Sequence, residues 1–311
     1  MTIPPHHPPH HHLAGSTPSV FLAGAGPLAA SLAGALRRSG VPVLGIWARR
    51  SEAARWAAAF SGVAAFAGTP PDLARAADAL VVAVADDAVS AVAGLFADSG
   101  CLTARQVLLK CSGAWSVAET FGDLAEKVAG AGTLHPLLAI VDPAQATMSM
   151  QGVAFGVEGD EAGKTMAKEL VRLLGGTAIE IQSAAMPLYH AAAVIVSNYT
   201  VVLADAARAV LVAAGVPEDQ GVPAVIPLLR STVANLANAG LPQALTGPIA
   251  RGDAGTVAKH LAALRAHPDT TIETLYRLLG QRAAAVARRK GSATDEALGR
   301  IEEALARVKI E

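Results

Sequence analysis

A chain of 311 residues, 52% apolar but only 4% aromatic, is long enough for two domains of ordinary size and a sizeable core. A formal net charge of −1 gives no electrostatic case for nucleic acid or an anionic membrane as partner. Two cysteines, Cys101 and Cys111, supply neither a disulfide framework nor a metal cluster, so no metal site is expected and a reducing cytoplasm is.

Residues 1–17 alternate prolines with histidines and lack both a basic n-region and an apolar h-region, so they read as a disordered tail rather than a secretory signal. From Val20 onward short apolar runs alternate with helical stretches. "SVFLAGAG" is a strand entering a glycine turn, "PLAASLAGALRRSG" a helix stopped by Gly40, and "VPVLGIWARR" a second strand. A helix from Ser51, with that serine as N-cap, follows. "ALVVAVADDAV", "QVLLKCSGAW", "GAGTLHPL", "GVAFGVEG" and "TAIEIQ" supply the remaining strands. This alternation predicts an α/β doubly wound, mostly parallel sheet over residues 18–182. Strand signals then stop, and helices are predicted over 184–214, 222–239, 253–266, 270–288 and 294–308, an all-α domain over 183–311.

The stretch from Glu180 to Asp205 has no formally charged residue and is nominally long enough to span a bilayer. It carries Gln182, Ser183, Pro187, His190, Ser197, Asn198 and Thr200 and has no flanking Lys/Arg asymmetry, so a buried helix of a soluble protein fits better.

"VFLAGAGPLAASL" reads G-x-G-x-x-A at Gly24, Gly26 and Ala29, between a strand and a helix. Gly24 allows the tight turn and Gly26 the close approach of a pyrophosphate. Pro27, Leu28 and Ala29 begin the helix whose positive end receives it. NAD sites place an acid at the end of the second strand, yet none occurs from Pro27 through Ser51. Arg49, Arg50 and Ser51 stand there instead, donors suited to a 2′-phosphate, so the cofactor expected is NADP. Asp86 ends a further strand, either near the nicotinamide ribose or as a helix cap, and Ser112 follows another.

Only four histidines lie outside the tail. His135 ends a strand on the presumed ligand edge, and His190 opens the long apolar helix. At about 100° per residue, His190, Ser197, Asn198, Asp205 and Arg208 fall within roughly a quarter of the helix circumference, a polar stripe that faces solvent or a cleft. In "ALTGPIARGD", Thr246 and Arg251 sit in a Gly/Pro-rich loop where Arg251 could clamp a carboxylate, while Asp253 suits a helix cap.

"GAGPLA", "TLHPL", "YHAAAVIVSNY" and "ALTGPIARGD" together resemble the Rossmann-like oxidoreductases with a C-terminal domain of unknown function. These are distant relatives of pyrroline-5-carboxylate reductase, ketopantoate reductase and 6-phosphogluconate dehydrogenase. The resemblance implies an NADP-type Rossmann domain, a helical C-terminal domain and a homodimer through those helices. His135–Pro136 is similar to the histidine motif of prephenate dehydrogenases. Several relatives use a lysine four residues before an asparagine on the first helix of the second domain. Here Val194 precedes Asn198 at that spacing, and no lysine occurs between Lys168 and Lys259.

A histidine must therefore supply any proton. The expectation is an NADPH-dependent reductase of a C=O or C=N bond in a small, carboxylate-bearing substrate. His190 or His135 donates the proton, Asn198 and Ser112 position the acceptor, and Arg251 with Thr246 holds the anion. A non-catalytic NADP(H) sensor and a scaffold dimer are the alternatives.

Overall fold

The computed structural model describes residues 17–142 and 150–306, so the Pro/His tail lies outside the described residues. One eight-stranded sheet runs in the order β3-β2-β1-β4-β5-β6-β7-β8. Its strands are β1 (Val20–Ala23), β2 (Val43–Ala48), β3 (Ala65–Ala67), β4 (Ala79–Val82), β5 (Val107–Lys110), β6 (Gly130–Pro136), β7 (Ala154–Gly159) and β8 (Thr177–Glu180). The first six are parallel, β7 turns antiparallel to β6, and β8 is parallel to β7.

Strands β1, β4 and β5 bury every residue, as parallel strands covered on both faces must. One face packs on α1 (Pro27–Arg38) and, beyond β7, on α5 (Glu161–Leu173), through Leu32, Leu36, Leu170 and Val171. The other face packs on α3 (Val89–Asp98) and α4 (Val117–Phe121), through Phe96 and Phe121. Local signals place these helices. Pro27 starts α1, where its missing N–H costs nothing, and Arg37 and Arg38 end it. The Asp160 carboxylate caps α5 at the Gly163 N–H (2.7 Å) and also accepts from the Ala131 N–H (2.7 Å), which fixes that helix to β6.

Four details differ from the sequence reading. β3 was not anticipated, because three residues rich in alanine carry no alternation, yet they pair with the β2 edge. Ser51 is the first residue of α2 (Ser51–Ser61) and does not cap it; Arg50 holds the cap position with no side-chain bond. The helix expected over 184–214 is two, α6 (Met186–Val196) and α7 (Asn198–Ala213), interrupted at Ser197. Ser and Asn side chains compete for backbone hydrogen bonds, which favours a break at that pair. The chain's two compact units also divide there, at 197/198 rather than 182/183.

The second unit continues with α8 (Glu218–Ala239), α9 (Gly247–Ala250), α10 (Ala254–Leu264), α11 (Thr270–Lys290) and α12 (Asp295–Leu305). Its core joins Val257, Leu261, Ala287, Leu298, Ile301 and Leu305. Helix α7 buries none of its residues in the chain, so the buried helix expected from its composition is not observed. The stretch Ser183–Ala213 has the length and composition to cross a bilayer.

Phe96 is fully buried and meets the Trp47 ring edge-on at 5.2 Å. Phe96→Ala should therefore lower stability by about 3–5 kcal/mol and Phe96→Leu by less, measured by urea unfolding.

Candidate active site at the carboxyl edge of the sheet

The turn after β1 admits only glycine at Gly24. Its φ is +136°, and a Cβ there would lie 2.1 Å from the Ala83 carbonyl oxygen of the chain leaving β4. At Gly26, the N-cap position of α1, a Cβ would meet nothing within 4 Å, so the turn opens onto free space. No side chain caps α1 and no acid lies in its first turn, so its leading N–H groups and positive end stay available for an anion. Pro27 is exposed, Leu28 half-buried and Ala29 buried, so only the helix start faces outward. Arg49, Arg50 and Ser51 follow β2 directly, exposed and without a hydrogen bond or ion pair to another described side chain. Asp86 lies exposed in the turn after β4. Neither that turn nor α3 has a side-chain cap, so Asp86 is not the helix cap it could have been.

On the adjacent strands the chemistry is denser. His135, near the end of β6, lies across Gly113, where a Cβ would come within 2.8 Å of imidazole Nε2 and Cε1. Gly156, its β7 partner, likewise yields space to Tyr189, whose hydroxyl would lie 2.4 Å from an added Cβ. The Tyr189 oxygen accepts the Gly156 N–H (3.1 Å) and stands 2.8 Å from His135 Nδ1, with the His135 carbonyl farther off at 3.3 Å. The phenol and the neutral imidazole each carry one proton, and one of the two donates across this 2.8 Å contact. His190, the next residue on α6, places its ring centroid 6.0 Å from that of His135.

Burial pushes His135 down to about 4, with the His190 and Lys110 charges acting in the same direction and Asp86 against them. Burial also raises Tyr189 to about 12. At neutral pH this pair is uncharged: a phenol bonded to a neutral imidazole. Ser112 is buried, and its hydroxyl has no hydrogen-bond partner among the described residues. Glu158 of β7 is buried and accepts from the Val117 N–H (3.0 Å), Thr133 Oγ1 (3.0 Å) and Ser183 Oγ (2.8 Å).

His135, His190, Ser112 and Asp86 thus belong to one edge of the first unit. Asn198, Thr246 and Arg251 belong to the second. Asn198 opens α7 and is exposed; Thr246 holds the N-cap position of α9 without a side-chain bond; Arg251 follows α9, exposed. Asp253 caps α10 at the Thr256 N–H, its structural reading. Of the polar stripe, His190 and Ser197 belong to the first unit and Asn198, Asp205 and Arg208 to the second, with the helix interrupted at Ser197. Within α7, Arg208 binds Asp205 at 2.9 Å and pairs with Glu218, an ordinary ionic cluster. The sequence reading missed Lys110, Tyr189 and Glu158. Lysine closing the run "VLLK" and tyrosine preceding His190 were visible signals; Glu158 carried none.

Comparison with known proteins bears on this edge. Residues 153–283 match the domain of unknown function DUF2520. No curated protein matches the sequence. A solved protein of Thermotoga maritima is 24% identical with a TM-score of 0.69, covering 88% of this chain and 99% of its own. A Bacteroides fragilis protein, provisionally described as an NADP oxidoreductase, is 23% identical with a TM-score of 0.66, covering 86% and 98%. A Plasmodium falciparum pyrroline carboxylate reductase with NADP bound is 15% identical with a TM-score of 0.57, covering 91% and 98%. These likenesses establish the fold: a Rossmann-type α/β domain followed by helices.

The depressed His135 value has a thermodynamic consequence. Above about pH 6.5, where an unfolded histidine is neutral, the buried neutral ring costs nothing extra. As pH falls from 6.5 towards 4 the unfolded chain binds a proton that the folded chain refuses, and stability is lost. The stability difference between the wild type and His135→Asn, from urea unfolding, should shift against the wild type by about 2 kcal/mol between pH 7.5 and pH 5.

Proposed function

We propose that this chain is an NADPH-dependent reductase acting on a C=O or C=N bond of a small, carboxylate-bearing substrate. The observation that carries the reading is the turn at Gly24 and Gly26, which leaves an uncapped helix end, together with two arginines after β2 that are unpaired among the described residues and no acid from Pro27 through Ser51. Backbone N–H groups at the start of α1 hold a pyrophosphate, and Arg49, Arg50 and Ser51 hold a 2′-phosphate. Asp86 faces the ribose. NADPH, when bound, supplies the hydride.

The two histidines divide the remaining work. His135 is held neutral, and in the tautomer protonated at Nε2 it donates a hydrogen bond to the acceptor and polarises it without giving up the proton. His190 is half-exposed at the start of α6 and delivers the proton to the oxygen or nitrogen. The unpartnered Ser112 hydroxyl orients the acceptor. Arg251 and Thr246 of the second unit take the substrate carboxylate, and Asn198 takes a polar group. Cys101 and Cys111 are both free and buried, and a reducing cytoplasm belongs to the same reading.

Titration with NADPH and NADH should show NADPH binding at least tenfold tighter. Arg49→Ala should remove about 1.5–3 kcal/mol from NADPH binding and leave NADH within twofold. In a screen of keto and imino acids, His190→Ala should lower kcat by about 10²- to 10⁴-fold. Binding of neither cofactor sinks the reading; tight binding with no turnover of any acceptor favours the sensor.

The same reading includes a homodimer through the C-terminal helices. Helices α7 and α8 pack together yet expose Val201, Val202, Leu228, Val233 and Leu236. With 16 and 22 residues they run ~24 and ~33 Å, so their outer faces offer several hundred Å², the order of the ~800 Å² per partner of a stable dimer. A bilayer suits this face less well, because Asp205 and Arg208 sit on α7. Light scattering at about 10 µM should give a dimer and the double variant Leu228→Glu/Val233→Glu a monomer; a monomeric wild type removes the dimer.

A further inference from the structure

The chemistry proposed for the sheet edge leaves one buried charge unused. Lys110, the last residue of β5, is 0% exposed. Its ammonium donates to the carbonyl oxygens of Ser112 (3.0 Å) and Trp115 (2.5 Å). Both acceptors belong to the short loop between β5 and α4. Glu158, in register with Lys110 across β6, is already engaged by a backbone N–H and two hydroxyls. The loop's far end is fixed separately by a capping box, in which Ser116 Oγ accepts the Glu119 N–H and the Glu119 carboxylate accepts the Ser116 N–H.

A charge enclosed this way is retained only where its own hydrogen bonds are satisfied, here by the two loop carbonyls. Without it, two carbonyls of the loop lose the donor that folds them towards β5. That loop contains Gly113, the surface against which the His135 ring rests, and Ser112, whose hydroxyl is unpartnered. We propose that Lys110 is a positioning residue: its ammonium shapes the 112–115 loop so that Gly113 seats the His135 imidazole and Ser112 stays free for a bound molecule.

Electrostatics agree with the geometry. Burial lowers Lys110 to about 8 against the pull of Glu158, Asp86, Cys111 and Glu119, so the group is still mainly charged at neutral pH. That charge opposes protonation of His135, as His190 does, while Asp86 favours it. Lys110 therefore helps keep His135 a neutral hydrogen-bond donor as well as holding its seat.

The kinetic part rests on the reductase reading; the histidine part does not. The test is a ¹⁵N NMR titration of the histidine rings in the full chain, wild type against Lys110→Met, with His135 assigned through His135→Asn. In folded Lys110→Met the His135 midpoint should rise by at least half a pH unit. NADPH affinity should stay within twofold, and kcat should fall at least tenfold with the acceptor KM changed less than threefold. A folded variant with an unmoved His135 midpoint overturns the proposal even if the wild type reduces its substrate. A moved midpoint in a protein that binds no NADPH supports it while the reductase reading falls. If Lys110→Met does not fold, the wild type decides. Its His135 resonances should show a second step near pH 8 as Lys110 loses its proton, and absence of that step overturns the proposal.

Discussion

Strands β1, β4 and β5 are buried along their whole length on both faces, and a parallel strand in that setting carries polar chemistry only where it ends. Each functional group of the first unit follows from this. Gly24 lies just past β1, Arg49 and Arg50 past β2, Asp86 past β4, Lys110 and Ser112 at the end of β5, and His135 near the end of β6. The close approach of Gly24 to the Ala83 carbonyl fixes the first of these exits relative to the third. One edge of one sheet thus collects residues separated by more than a hundred positions in the chain.

Burial then does the chemical sorting at that edge. His135 and His190 are the same residue type with ring centroids 6.0 Å apart, but the first is enclosed between Gly113 and Tyr189 while the second is half-exposed. Desolvation is the largest cause of the drop at His135, ahead of either neighbouring cation. It removes His135 as an acid at neutral pH, which the sequence had left on equal terms with His190. Two similar rings in unlike surroundings can take unlike tasks, which is the basis of the division proposed for them.

The sheet was legible in the sequence because its strands are apolar runs punctuated by glycine and its helices begin with recognisable signals such as Pro27. The G-x-G-x-x-A turn and the missing acid after β2 were legible too, since a close approach and a charge each demand particular residue types. Periodicity failed where it was extended furthest. No glycine or proline marks the break at Ser197, and arithmetic at 100° per residue passed straight through it. The seats of the two rings were invisible for a different reason. Gly113 and Gly156 are ordinary strand and loop glycines until the side chains lying over them, from β6 and α6, are known. Glu158 presents the same difficulty, since its partners come from three separate segments.

Apolar side chains remain exposed in both units, on α6 of the first (Leu188, Ile195 and Val196) as well as in the second. The first buries its sheet between two sets of helices, whereas α7 and α8 leave Val201, Leu228 and Val233 at least 64% exposed. Composition alone read that segment as a buried helix, and an apolar run can be buried in a core, a bilayer or an interface with the same composition. What separates these is where the ionic groups fall. On α7 the charges Asp205 and Arg208 bind each other and Glu218, so the cluster is complete within its unit and needs no ionic partner. A surface left apolar after its charges are paired suits another apolar surface of similar extent better than an ionic partner.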